Sequence, residues 1–257
     1  SAADPPARAV PTSMIDDTTA RGLTGISVKE EPGPRALRVQ ARDAAGNVAV
    51  LQATVTVTGT TFRTGGVVEL SETQREARHD KEKGRAANDK RREAYADPVE
   101  QALPGTFIVP VTAPRSSAFG KARRYPDGSV NHHLGTDFAA SLGSPVGSSA
   151  EGVVTLAEPL HLYGNAVIVG HGAGVSTSYS HLSRIDVRVG DRVAMGQTVG
   201  LVGSTGQSTG AHLHWGMVVD GTAVAAEEWT TRRFELPLPG TSGSRCLGRR
   251  ERSVVAA

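Results

Sequence analysis

Apolar positions in the second half of this chain come in short runs punctuated by glycine, not in helical stripes. The runs at 107–111, 152–157, 165–169, 175–181, 188–189, 198–202 and 212–219 are about ten residues apart, with turn residues between them. That rhythm predicts antiparallel strands rather than alternating strand–helix units. Earlier, Leu37, Val39 and Ala41 alternate with polar residues, residues 43–47 have turn chemistry, and 48–57 is again β-branched. This pattern predicts a hairpin. The expected fold class is mainly β, with an antiparallel sheet.

Residues 71–96 are of another material, dominated by charges of both signs. Ser71 and Gln74 fit a capping box at its start, and Asp97-Pro98 would end it. Its apolar residues are sparse, chiefly Ala77, Ala86, Ala87, Ala94 and Tyr95, and Gly84 interrupts the middle. A solvated helix or helical linker is expected. The stretch LRVQARDAAGNVAVLQATVTV resembles the last two strands of an immunoglobulin-like sandwich, which needs about 100 residues. Too few precede it here, so 1–60 reads as a partial module, the other reading being a small β-arm. The organisation expected is 1–60 as that module, 61–104 as the charged linker, 105–238 as a β domain and 239–257 as a disordered tail. Residues 1–18, rich in Pro and Ala, are expected to be poorly ordered.

Composition narrows the classes. The 257 residues carry a net charge of +2, which gives no field to attract nucleic acid. Only 4% are aromatic while 30 are glycine, in keeping with strands and tight turns. The single cysteine, Cys246, excludes an internal disulfide and Cys-based zinc ligation. No apolar run is long enough to span a bilayer, and no charged-then-apolar leader is visible. The chain begins with Ser1, so targeting does not fix a compartment.

Candidate chemistry gathers in the stretch TGQSTGAHLHWG, residues 205–216. On a strand, His212 and His214 would point to the same face and converge on one spot. Upstream, His133-Leu134-Gly135-Thr136-Asp137 adds an imidazole and a carboxylate, and His181 lies in Tyr179-Ser180-His181-Leu182. Catalytic zinc takes three nitrogen or carboxylate ligands and keeps a fourth position for water. His133 and Asp137 suit two of these, with the third from the His212/His214 pair, and the remaining imidazoles are free for proton transfer. His132 is expected to be an exposed neighbour, and His79, His161 and His171 structural or surface residues. No His-Glu-x-x-His helix and no Gly-x-Ser-x-Gly elbow occur.

From about residue 105 to 234 the chain resembles the lysostaphin/LytM-type zinc metalloendopeptidases of peptidoglycan. The resemblance rests on SSAFGKARRYP leading to HLGTDFAA, on SPVGSSAEGVV, YGNAVIVGHG and TSYSHLS, and on VRVGDRVAMGQTVGLVGSTG and GAHLHWGMVVDG. It implies one zinc per chain held by His133, Asp137 and His214, with His181 and His212 as catalytic imidazoles. It further implies a groove on a curved antiparallel sheet of duplicated hybrid motif, a peptidoglycan peptide substrate, and a periplasmic, envelope or secreted location. Departures from the family pattern fall at Ala140-Ser141, Gly170 and Ala225-Ala226, and Tyr125 is the nearest candidate for an oxyanion-supporting tyrosine. The alternative function is a non-catalytic regulator of another wall hydrolase, a role that typically goes with lost ligands. VRVGDRVAMGQTVGLVGS also resembles half of a lipoyl carrier, but no lysine follows Lys121 to be modified.

Overall fold

The computed structural model describes residues 10, 12–16, 19–42, 45–96, 99 and 103–231. The proposed tail, 239–257, and Cys246 lie outside the described residues. The first elements are β1 (Thr12–Asp16) and β2 (Thr19–Gly22), which pair antiparallel, so part of the segment expected to be poorly ordered is a strand. The predicted hairpin follows as β3 (Gly33–Arg42) and β4 (Val48–Val57), paired along their whole length from Gly33↔Val57 to Arg42↔Val48. Its apolar side chains stay largely open, with Val39, Val48, Val50 and Leu51 all exposed.

The charged stretch is preceded by a short strand, β5 (Thr64–Val67), and consists of two helices, α1 (Glu72–His79) and α2 (Lys81–Ala96). The break comes at Asp80, while Gly84 is accommodated inside α2. The capping box at Ser71 and Gln74 forms as its sequence spacing predicts. α2 is charged along most of its surface, yet Ala87 and Ala94 are buried against Leu156, Leu160, Ala166 and Ile168. These alanines are seven residues apart, two helical turns, and so lie on one face.

The rest of the chain is strands. They are β6 (Arg115–Ser117), β7 (Ala122–Arg124), β8 (Val130–His132), β9 (Thr136–Phe138), β10 (Pro145–Gly147), β11 (Gly152–Leu160), β12 (Gly164–Gly170) and β13 (Val175–Leu182). Then follow β14 (Arg184–Ile185), β15 (Arg192–Val193), β16 (Thr198–Leu201), β17 (Leu213–Val219), β18 (Thr222–Val224) and the short helix α3 (Ala226–Trp229). The main sheet runs β15-β11-β12-β13-β17-β9-β6, with β18 on β17, and every pair in it is antiparallel. Two three-stranded sheets flank it, β10-β16-β14 and β5-β7-β8, and in the latter β5 runs parallel to β7.

Two expected strands are absent. Residues 107–111 are irregular because Pro110 has no N–H to donate, and they are held by single bonds from Ile108 N to Ser149 O and Gly147 N to Pro110 O. Residues 188–189 belong to a turn, with Arg188 N donating to the Asp191 carboxylate and Gly190 at φ 92°; the neighbouring strands are β14 and β15. The core lies beneath β13 and β17, where Tyr179, Leu182, Leu213, Trp215 and Met217 have no exposed surface. The Tyr179 hydroxyl accepts from Ser149 N at 2.7 Å and meets Thr177 Oγ1 at 2.8 Å, so its burial leaves no polar atom unsatisfied.

Candidate metal centre

β9 and β17 carry the centre. Asp137 on β9 is the direct cross-strand partner of His214 on β17, so both side chains project from the same face. His133 reaches them from the turn before β9. That turn closes against β17 so tightly that a Cβ on Gly135 would lie 2.6 Å from Trp215 O and 2.8 Å from His214 Nε2. Glycine between His133 and Asp137 is therefore a condition of the site, because any side chain would push the turn away from β17.

Three donor atoms meet. His133 Nε2 is 2.9 Å from Asp137 Oδ1 and 3.0 Å from His214 Nδ1, and His214 Nδ1 is 2.8 Å from Asp137 Oδ1. His133 and Asp137 are buried and His214 is nearly so. On its far side, His133 Nδ1 lies 3.0 Å from Ala118 O, a carbonyl that can only accept. Nδ1 thus carries the proton and Nε2 presents a bare lone pair. The other carboxylate oxygen, Asp137 Oδ2, is bound by Arg123 Nη2 at 2.7 Å. Burial would raise the Asp137 carboxyl, but its contacts with His133 and His214 outweigh this and hold it well below the usual carboxylate range. Burial pushes His214 down to about 4, against the opposing contact with Asp137, so the ring is neutral at pH 7.

A metal fits this donor set. A bare imidazole nitrogen 2.9 Å from an ionised carboxylate oxygen places two acceptors face to face, which needs a cation or shared proton between them. Two nitrogens and one carboxylate oxygen, with no thiolate, match the donors that hydrolytic zinc takes.

Two further imidazoles stand beside the triangle. The His181 ring centre is 6.0 Å from that of His214 and 4.8 Å from that of His212. Strand alternation would put His181 on the core face with Tyr179. Instead it has φ 64°, unusual for a residue other than glycine, which turns its ring toward His212. His181 Nδ1 donates to Thr205 O at 2.8 Å, and His212 Nδ1 donates to Gly210 O at 2.9 Å, with Ser208 Oγ at 3.1 Å. Each ring therefore has Nε2 as its unprotonated nitrogen. Burial first, and then the neighbouring His214 and His212, push His181 down to about 3.

All five side chains named from the sequence thus come together. His212 precedes β17 rather than lying in it, and is tied to the loop before it by a bridge to Gly203. His132, expected to be exposed, is half-buried, with Nδ1 2.9 Å from Gly120 O and its ring edge-on to Phe62. His171 is structural, as expected, held between Glu151 O and Thr177 Oγ1. Tyr125 lies under the Arg78 guanidinium, 3.5 Å from its ring centre. The sequence alone did not single out Arg123, Thr205 or Ser208, although Arg123 and Thr205 fall within the stretches that carry the resemblance and Ser208 lies between two of them.

Comparison with known proteins agrees with the geometry. Residues 131–226 match the model of peptidase family M23. The chain is 44% identical over 112 residues to peptidoglycan DD-endopeptidase ShyA of Vibrio cholerae, covering 43% of this chain and 26% of that protein. It is 47% identical over 92 residues to DD-carboxypeptidase/endopeptidase Mpg of Neisseria meningitidis, covering 36% of this chain and 21% of that protein. The chain thus spans about a quarter or less of the length of these curated relatives. A crystal structure of a Pseudomonas aeruginosa protein assigned to peptidase M23 superposes with a TM-score of 0.62 at 27% identity, over 84% of this chain and 79% of that one. The segment similar to peptidase family M23 contains His133, Asp137 and His214, and the likeness of fold to the Pseudomonas aeruginosa structure extends over most of the chain.

Proposed function

We propose that this chain is a zinc-dependent endopeptidase that hydrolyses peptide bonds in the stem peptides or cross-bridges of peptidoglycan. The observation that carries the proposal is the triangle of His133 Nε2, Asp137 Oδ1 and His214 Nδ1, with all sides 2.8–3.0 Å, beside two imidazoles that each have a bare Nε2. The three triangle atoms would hold one zinc ion per chain. Zinc bound in this way polarises a carbonyl and lowers the pKa of water toward about 7.

The chain's own residues supply the rest. With Thr205 O and Gly210 O fixing their tautomers, His181 and His212 each offer a lone pair to take the proton of an attacking water. The ring that takes it becomes a donor on both nitrogens. It can then steady the developing oxyanion and return the proton to the leaving amine. Burial keeps His181 neutral throughout the neutral range, so its Nε2 carries no proton there.

The Vibrio cholerae relative named as a peptidoglycan DD-endopeptidase supports the substrate class. Peptidoglycan lies outside the cytoplasm, so this substrate would put the protein in the periplasm, the cell envelope or the secreted fraction. No helix among the described residues is long and apolar enough to cross a membrane.

Digestion of purified cell walls by the zinc-loaded chain tests the proposal. New amine ends should appear in the cross-linked peptides, and intact walls would reject the activity. His214→Ala should lose both zinc and turnover, and unit zinc stoichiometry in that variant would reject the ligand set. His212→Ala should keep zinc while turnover falls by a factor on the order of a hundred or more.

A further inference from the structure

Helix α1 lies outside the matched family segment, yet it touches three pieces of the peptidase domain. His161 Nε2 meets Ala77 O at 2.7 Å, Arg78 covers Tyr125 and reaches Ser129 Oγ at 3.3 Å, and Gln74 Nε2 donates to Ser208 O at 2.9 Å. The last contact leads into the site. Ser208 is four residues before His212, and its hydroxyl lies 3.1 Å from His212 Nδ1 and 2.6 Å from Gly210 O, the carbonyl that fixes the His212 tautomer.

The capping box leaves the Gln74 amide no freedom. Its Oε1 accepts from Ser71 N at 3.0 Å, and an amide oxygen used in this way aims the NH₂ away from the helix start, onto Ser208 O. The loop needs such an anchor. It carries Gly206 at φ 70° and Gly210, and is rich in serine and threonine, so its backbone has little intrinsic preference. Its other side is pressed against the β11–β12 turn, where a Cβ on Gly206 would come within 2.3 Å of Gly164 N.

We infer that Gln74 and Ser208 are positioning residues for His212, which makes α1 a working part of the peptidase rather than a linker. Gln74 holds the 204–210 loop by its backbone, and Ser208 transmits that hold to the imidazole. This inference rests on the peptidase activity proposed above. It runs opposite to a covering role for α1, since losing the contact should slow the enzyme instead of freeing it.

Gln74→Glu in the full chain separates the two uses of this side chain. A carboxylate oxygen still caps Ser71 N, so α1 persists, but an acceptor now faces the Ser208 carbonyl. The variant should keep its melting temperature and zinc content. Amide hydrogen exchange across 204–212 should accelerate several-fold, and kcat on a cross-linked muropeptide should fall about tenfold with KM little changed. Ser208→Ala should show the same fall in kcat, and Ser208→Thr, which restores a hydroxyl, should recover most of it. Unchanged loop exchange or unchanged kcat in Gln74→Glu would overturn the inference while leaving the peptidase proposal intact, and so would a rise in kcat. A wild-type chain that leaves the muropeptide uncut would remove both.

Discussion

Arg123 shows how a single residue outside the ligand set shapes the centre. Its guanidinium occupies Asp137 Oδ2 at 2.7 Å, which leaves Oδ1 alone to face the two imidazoles. One oxygen per carboxylate suits a four-coordinate ion, and partners that orient ligands commonly contribute 10–100-fold to metal affinity. Arg123→Gln should therefore weaken zinc binding by about that factor. Competition with a chromophoric chelator measures it, and an unaltered affinity would show the contact to be incidental. At this scale the sequence names the candidate ligands but not what holds them. His133 and Asp137 stand out by their spacing and the His212/His214 pair by its alternation, and the family resemblance then chooses His214. Arg123, Thr205 and Ser208 are ordinary surface residue types, and their roles depend on which atom faces which. His181 could be named from its context, but its orientation could not, because a strand pattern does not encode a φ of 64°.

Among the elements, those with a clean period were legible. β4, β12, β13 and β17 lie where alternating or continuous apolar runs put them, and the capping box marks the start of α1 to the residue. Residues 107–111 have the apolar run of a strand but not its ladder, because Pro110 lacks the N–H that a regular ladder needs. The docking of α2 was hidden for a different reason. Its buried face consists of Ala87 and Ala94, two small residues in a strongly charged helix, so the apolar signal is faint although the packing is close. Close packing through alanine gives a specific expectation. Ala87→Leu forces extra methylenes between α2 and the Ile168 face of the sheet and should cost about 1–3 kcal/mol. Lys83→Ala, which removes only the exposed ion pair with Asp80, should stay within about 0.5 kcal/mol. Denaturant melts of the two variants decide the matter, and equal midpoints would mean that α2 is not packed on the sheet.

For the whole molecule, the sheet order explains why candidate ligands remote in sequence meet. β17 lies between β13 and β9, so His214 has Ser180 as its partner on one side and Asp137 on the other. The pattern of apolar runs predicted many antiparallel strands but could not give this order, because strand pairing is set by long-range packing that leaves no local mark. The same burial that fixes the order ties stability to pH. His171 sits in the core against Phe107, fully buried, with Glu151 O and Thr177 Oγ1 as partners. Burial pushes it from 6.5 down to about 4, and the bond to Glu151 O offsets only part of that. Between those values the unfolded chain binds a proton that the folded chain refuses. Stability should therefore be complete above about pH 6.5 and be lost as pH falls toward 4, with a slope of up to about 1.4 kcal/mol per pH unit from this group. His171 is not a metal ligand, so the effect should persist when zinc is saturating. The comparison that isolates it is wild type against His171→Gln, whose amide can keep one donor and one acceptor while losing the titration. Unfolding free energy measured at pH 7 and pH 5 should drop by about 2 kcal/mol more in wild type than in the variant. An equal drop in both would show that the buried ring is not what links folding to acid.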